Sequence, residues 1–165
     1  MNVKKADRPR YWVTFLFRAL AVGETFSPDE LHLTVIPWFV TELPEDEVIM
    51  SFKLHFAGQK PFEITIGELK DFRSGRRISV NLAKPVRRLK AFHKTTLDWM
   101  KDLEGRWAVK SPFVARDYVP HIRRRRGRNL SEHDKVELKN ISLIKALRRG
   151  DDLRTVIAKV DFDEE

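Results

Sequence analysis

The sequence predicts an α+β domain built around one core, and three observations predict it. Apolar runs of strand length, rich in aromatic and β-branched residues, recur along the chain. Two longer stretches repeat their apolar residues at helical spacing instead. The order is strand, strand, helix and strand, followed by strand, helix, strand and further strands, a duplication of order without repetition of sequence. A chain of 165 residues, 42% of them hydrophobic, can bury roughly two thirds of its unfolded surface. One domain over residues 11–165 is therefore expected, preceded by a flexible basic tail at 1–10.

Residues 11–20 open the domain with Trp12, Val13, Thr14, Phe15, Leu16 and Phe17 in succession, a central strand covered on both faces. Ser27-Pro28-Asp29 has turn chemistry and delivers the chain to a second strand at 31–39. Leu43-Pro44-Glu45-Asp46-Glu47 then starts a helix, because proline is tolerated in a first turn and acids complement the helix dipole there. Val48, Ile49, Phe52 and Phe56 form its apolar face, and Gly58 stops it. Phe62, Ile64 and Ile66 alternate with polar residues, as do Ile78, Val80 and Leu82, which gives an antiparallel pair turning at Gly75. The longest helix spans 85–103, its stripe of Val86, Leu89, Leu97, Met100 and Leu103 opposing Arg87, Arg88, Lys90, Lys94 and Lys101. A short strand at 118–124 follows. The segments 135–146 and 153–162 pair as a hairpin around Arg148-Arg149-Gly150-Asp151-Asp152.

The net charge of +8 favours polyanions as partners. With no cysteine, disulfides and thiolate metal sites are excluded, which suits the cytoplasm. Lys4, Lys5, Arg8 and Arg10 ahead of an apolar run ending near Ala19-Leu20-Ala21 have the outline of a secretory signal. Arg18 interrupts that run, and its aromatic, β-branched composition reads better as a buried strand. No segment reaches the length of a bilayer span, and a monomer without membrane attachment is expected. Glycine-rich phosphate loops, serine elbows and metal-ligand clusters are absent from the sequence.

Chemistry concentrates in the second strand. In Leu31-His32-Leu33-Thr34-Val35, His32 and Thr34 project to one face while Leu31, Leu33 and Val35 project to the other. About ninety residues later Tyr118-Val119-Pro120-His121-Ile122-Arg123 places a second histidine in similar surroundings. The pattern His-x-Thr-x at 32–35, its flanking strand and helix, and Tyr-x-Pro-His at 118–121 together resemble the two-histidine phosphoesterases. That superfamily includes RNA 2',3'-cyclic phosphodiesterases and 2',5' RNA ligases.

The resemblance implies a bilobal fold of two antiparallel sheets related by a pseudo-twofold axis. Helices would pack on the outer faces and the active-site groove would lie between the lobes. It implies a metal-independent phosphodiesterase opening 2',3'-cyclic phosphates at RNA ends or on nucleotides, with 2',5' ligation as a companion activity and no cofactor. One imidazole would act as base and the other as acid, on opposite sides of an in-line phosphorus. Thr34 would donate its hydroxyl to a phosphate oxygen.

The family's second motif usually carries threonine or serine where this chain has Arg123. An arginine two residues after His121 shares its face and can hold phosphate bidentately. A guanidinium there also disfavours protonation of His121, which suggests His121 as base and His32 as acid. The alternative is an RNA-binding module that no longer turns over. Arg125 is a further phosphate contact in this reading, and Tyr118, Trp38 or Phe39 would stack a base. His55 and His93 fall on helix stripes as core or boundary residues, and His133 lies in a charged loop.

Overall fold

The computed structural model describes residues 8–74, 76–108, 114–125, 127, 129–146 and 153–163. In chain order the elements are β1 (Arg10–Leu16), β2 (Thr25–Phe26), β3 (His32–Val40), α1 (Glu45–Phe56), β4 (Phe62–Ser74), β5 (Arg76–Lys84) and α2 (Val86–Asp102), then β6 (Arg106–Trp107), β7 (His121–Arg123), β8 (Lys135–Leu138), β9 (Asn140–Ala146) and β10 (Arg154–Asp161). The strands form one antiparallel hydrogen-bonded path, β2-β10-β9-β1-β3-β7-β5-β4-β8, with β6 paired to the far end of β3. Two halves are recognisable, one ending at β3 and the other beginning at β7. They are joined through a single ladder position, Leu33 opposite Ile122. The two-sheet arrangement is thus realised as two halves of one continuous sheet.

Both helices pack on the same face. Val48, Phe52 and Phe56 of α1 and Leu89, Phe92, Trp99 and Met100 of α2 join Val13, Phe15, Leu33, Val35, Ile64, Ile66 and Ile122 of the sheet in one core. Phe92 and Trp99 carry much of this packing: Phe92 meets Phe15 and Phe62, and Trp99 meets Phe39 and Phe52. Val86, expected in the α2 stripe, is 42% exposed, because it sits in the first turn where the helix has not yet reached the sheet. Phe15 of β1 lies 6.1 Å from Phe62 of β4 although three strands separate them, so the sheet curls around this core. On the opposite face Trp12, Leu16, Leu20, Phe26, Trp38, Ile144 and Val156 form a second, smaller cluster. Burial on both faces explains why β1 is a continuous apolar run.

The segment expected as one strand over 135–146 is two. β8 pairs with β4 at the outer edge of the second half, whereas β9 lies between β1 and β10 in the first. Only Lys139 separates them. The β9–β10 pairing matches the expected hairpin, but its turn residues lie outside the described residues, as do Gly75 and residues 1–7 of the basic tail. Of that tail, Arg10 opens β1 and Arg8 is ion-paired with Glu42. The second histidine strand is three residues long rather than seven. A 3-10 turn over Ala115–Asp117 precedes it, and Tyr118 lies outside the strand. Among the described residues no helix is long and apolar enough to cross a membrane.

Candidate active site

The Leu33–Ile122 pair turns both side chains into the helix-face core, which sends their sequence neighbours to the other face. Stepping one residue along the antiparallel ladder sets Thr34 opposite His121 and His32 opposite Arg123. His32 and His121 are then diagonal neighbours on adjacent strands, a relation that places Cα atoms about 7–8 Å apart. Two motifs that are remote in sequence share one patch of sheet.

Each histidine is held in the same way. The ring Nδ1 of His32 is 2.8 Å from the carbonyl oxygen of Glu30, and that of His121 is 2.7 Å from the carbonyl of Val119, in both cases two residues back. A carbonyl only accepts, so Nδ1–H is the donor and the basic lone pair of the neutral ring is on Nε2. Each ring also meets an aromatic edge to face: His32 with Trp12 at 4.5 Å and 85°, His121 with Phe72 at 4.9 Å and 74°. The two halves thus repeat one set of contacts around different residues.

Trp12 also touches Thr34. Its indole Nε1–H donates to Thr34 Oγ1 at 3.1 Å. Because the indole can only donate, Thr34 accepts there and its own hydroxyl proton is directed elsewhere.

Burial is the main cause that lowers the basicity of both rings. His32 is pushed down to about 3, first by burial; the hydrogen bond to the Glu30 carbonyl opposes this, and the charges of Arg125, Arg154 and His121 each add a smaller lowering. His121 is lowered by burial and partly restored by the Val119 carbonyl. His121 is thus lowered in the expected direction, with burial as its first cause, while the charges that act on His32 are those of Arg125, Arg154 and His121.

The remaining candidates divide. Arg123 is exposed on the histidine face. Arg125 is half-buried just past β7, its backbone tied to the Asn129 side-chain amide by bonds of 2.8 and 2.7 Å. Trp38 is half-buried 5.4 Å from Trp12, with the guanidinium carbons of Arg10 and Arg154 at 5.0 and 5.6 Å. Phe39 is wholly core, packed on Tyr11 and Trp99.

Tyr118 is 3% exposed and cannot receive a base; its ring stacks on His93 at 4.0 Å and its hydroxyl donates to the Thr34 carbonyl at 2.7 Å. His93 is a satisfied core histidine, donating from Nδ1 to the Val35 carbonyl and accepting the Ala115 N–H at Nε2, both at 2.7 Å. Together Tyr118 and His93 brace β3 from behind the site. Replacing Tyr118 by phenylalanine is expected to cost about 1 kcal/mol of stability through the lost hydrogen bond. Denaturant unfolding measures it, and an unchanged midpoint would refute the bracing role. His55 lies against Phe56 and Trp99, and His133 is exposed beside Glu132, both apart from the site.

Sequence reasoning missed Trp12, Phe72 and Arg154. Thr14, a polar residue within the apolar run, marks the site face of β1 and points to Trp12, two residues away and opposite Ile144. Arg154 arrives from β10 and had no local signal. Among the described residues no group of three or more His, Asp or Glu side chains is placed to hold a metal ion.

The curled antiparallel sheet with two helices on one face is shared with several solved structures. TT0787 of Thermus thermophilus aligns with TM-score 0.63 at 17% identity, over 94% of this chain and 99% of that one. A structure described as a phosphoesterase aligns with TM-score 0.64 at 14% identity, over 95% and 99%. E. coli LigT complexed with 3'-AMP gives 0.61 at 14%, over 95% and 99%. At these identities the likeness is one of fold. Residues 16–148 match the family model of the 2'-5' RNA ligase superfamily, and the chain belongs to that superfamily, the two-histidine phosphoesterase group its motifs resemble. Comparison with curated proteins gives no match.

Proposed function

We propose that the chain opens 2',3'-cyclic phosphates at RNA ends or on nucleotides, with 2',5' ligation as the companion reaction when a ribose hydroxyl takes the place of water. The observation that carries this reading is the histidine pair, two imidazoles fixed alike through Nδ1 on diagonal positions of one sheet face. One imidazole removes the proton of the attacking water as its oxygen bonds to phosphorus. The bond from phosphorus to one ribose oxygen breaks, and the other imidazole gives that oxygen its proton. Thr34 donates to a non-bridging oxygen, and Arg123 supports the phosphate with a full charge in place of a second hydroxyl. Because Arg125 and Arg154 act on His32, we assign His32 as base and His121 as acid, reversing the assignment suggested by Arg123 alone. The scheme uses no metal ion.

The 3'-AMP held by E. coli LigT is a ligand of the expected kind, a nucleotide with phosphate on its ribose. The test is incubation with 2',3'-cyclic nucleotides in excess chelator, following phosphomonoester release. Turnover is expected. Retained binding without turnover would instead leave an RNA-binding module, the outcome that the departure at Arg123 makes worth testing.

A further inference from the structure

The outer face of α2 carries a charge that nothing beside it balances. Between Asp71 and Asp98 the sequence has no acid. Arg87, Arg88, Lys90 and Lys94 stand exposed on the first half of the helix, while Leu89, Phe92, His93 and Leu97 of the same turns are buried. No ion pair reaches these four cations from any described residue. Like charges three and four residues apart repel, and cations in the first turns also oppose the helix dipole. A face that only met water would gain from mixed signs.

Arg87, Lys90 and Lys94 follow one another at intervals of three and four residues, a row along the helix with steps of about 5–6 Å. Neighbouring phosphates of a nucleic-acid strand are spaced comparably. Beside the row lies a cleft of about 270 Å³ lined by Gln59, Arg88, Ala91, Phe92 and Thr95. Arg88 is placed there by Phe62, its guanidinium carbon 4.4 Å from the ring centre. A protein partner would call for aromatic or large apolar residues at the centre of the patch and for few lysines. Here the small residues Ala91 and Thr95 lie between the cations. We propose that this face of α2 binds the sugar–phosphate backbone of a nucleic-acid strand without regard to sequence. Phosphates would meet Arg87, Lys90 and Lys94, with a sugar or base in the Arg88 cleft beside them. The histidines project from the opposite face of the sheet, so this surface is separate from the candidate active site. The inference goes beyond the phosphodiesterase reading and does not depend on it.

The test is a fluorescence-anisotropy titration of labelled oligouridylate and oligothymidylate, both ending in plain 3'-hydroxyls, across a salt series. The logarithm of the affinity should fall linearly with that of the salt concentration. Arg87→Gln, Lys90→Gln and Lys94→Gln together should weaken binding at least about tenfold in low salt and flatten the slope by about 2, since each phosphate contact of a single strand contributes about 0.7. The substituted positions are exposed and their repulsion is relieved, so the unfolding midpoint should not fall. Lys53→Gln, Lys135→Gln and Lys139→Gln, an equal loss of charge at exposed positions elsewhere, should leave affinity and slope nearly as in the parent. Equal affinity for the two strands would mean that phosphates alone are met, and a preference for RNA that the cleft also reads the ribose. A control triple that weakens binding as much as the α2 triple would reduce the effect to net charge and overturn the inference. Loss of binding in Arg123→Gln with the α2 triple unaffected would overturn it too, by putting the strand in the histidine groove. So would polyglutamate binding as tightly as the oligonucleotides, which would make the face a dock for acidic protein.

Discussion

Replacing His32 by alanine is expected to lower kcat for opening a 2',3'-cyclic phosphate by about a hundred- to ten-thousand-fold, and replacing His121 by a similar factor. In the proposed mechanism both groups move protons in the same transition state, on opposite sides of phosphorus. Once one is gone the other has less to contribute, so the double variant should be only slightly worse than the poorer single one. KM should change far less, because Thr34 and Arg123, the residues proposed to hold the phosphate, remain. His32 also packs on Trp12 and His121 on Phe72, so a loss of structure must be separated from a loss of chemistry. Glutamine at either position retains an N–H for the backbone carbonyl that Nδ1 now serves, without a titrating nitrogen. Equally inactive glutamine variants with parent-like unfolding would locate the defect in proton transfer. Activity within a few-fold of the parent in either alanine variant would remove that histidine from the mechanism.

Acid should destabilise the free protein, and a phosphate-bearing ligand should oppose it. His32 in the fold is held down to about 3, against an ordinary value of 6.5, and His121 is lowered as well. Between these limits the unfolded chain binds a proton that the folded chain refuses, so stability falls as pH is lowered from 6.5 toward 3 and is fully present above 6.5. The slope for one histidine is at most about 1.4 kcal/mol per pH unit. Carboxylates titrate in the same range, so the informative quantity is the difference between the parent and His32→Gln, which should lose less stability on acidification.

At neutral pH both imidazoles of the free protein are accordingly unprotonated, yet the proposed reaction needs an acid. The bound phosphate supplies the negative charge that raises an imidazole's proton affinity. Binding of a 3'-nucleotide at about pH 7 should therefore take up protons, seen as a dependence of the binding heat on the ionisation enthalpy of the buffer. A binding heat that does not vary with buffer would mean that the acid is charged before the ligand arrives, and would contradict the lowered basicity.

The histidine pair could be read in the sequence because strand alternation puts His32 and Thr34 on one face without any knowledge of the fold. Two such strands with neighbouring helices suffice to suggest a shared site. Trp12 was hidden by the opposite circumstance. β1 is apolar on both faces, so alternation vanishes and only Thr14 betrays the phase. Tyr118 was misplaced because its position beside the motif suggests a ligand contact, while its partner His93 comes from α2. Arg154 depends on the sheet order, which no local pattern encodes. The break at Lys139 did leave a trace. The apolar positions Val136 and Leu138 change parity to Ile141 and Leu143, which a single uninterrupted strand cannot accommodate on one face.

That one-residue connection bears on how the site can move. A seam held by a single ladder position would serve as a hinge if its two halves were otherwise independent. They are tied a second time on the far side, where Leu138 of one half and Asn140 of the other are two virtual bonds apart, a separation of no more than about 7 Å. Opening the seam would have to stretch this tie and split the common core. This second tie predicts a gauge of fixed width rather than a jaw, with the spacing of the two imidazoles set before a ligand arrives.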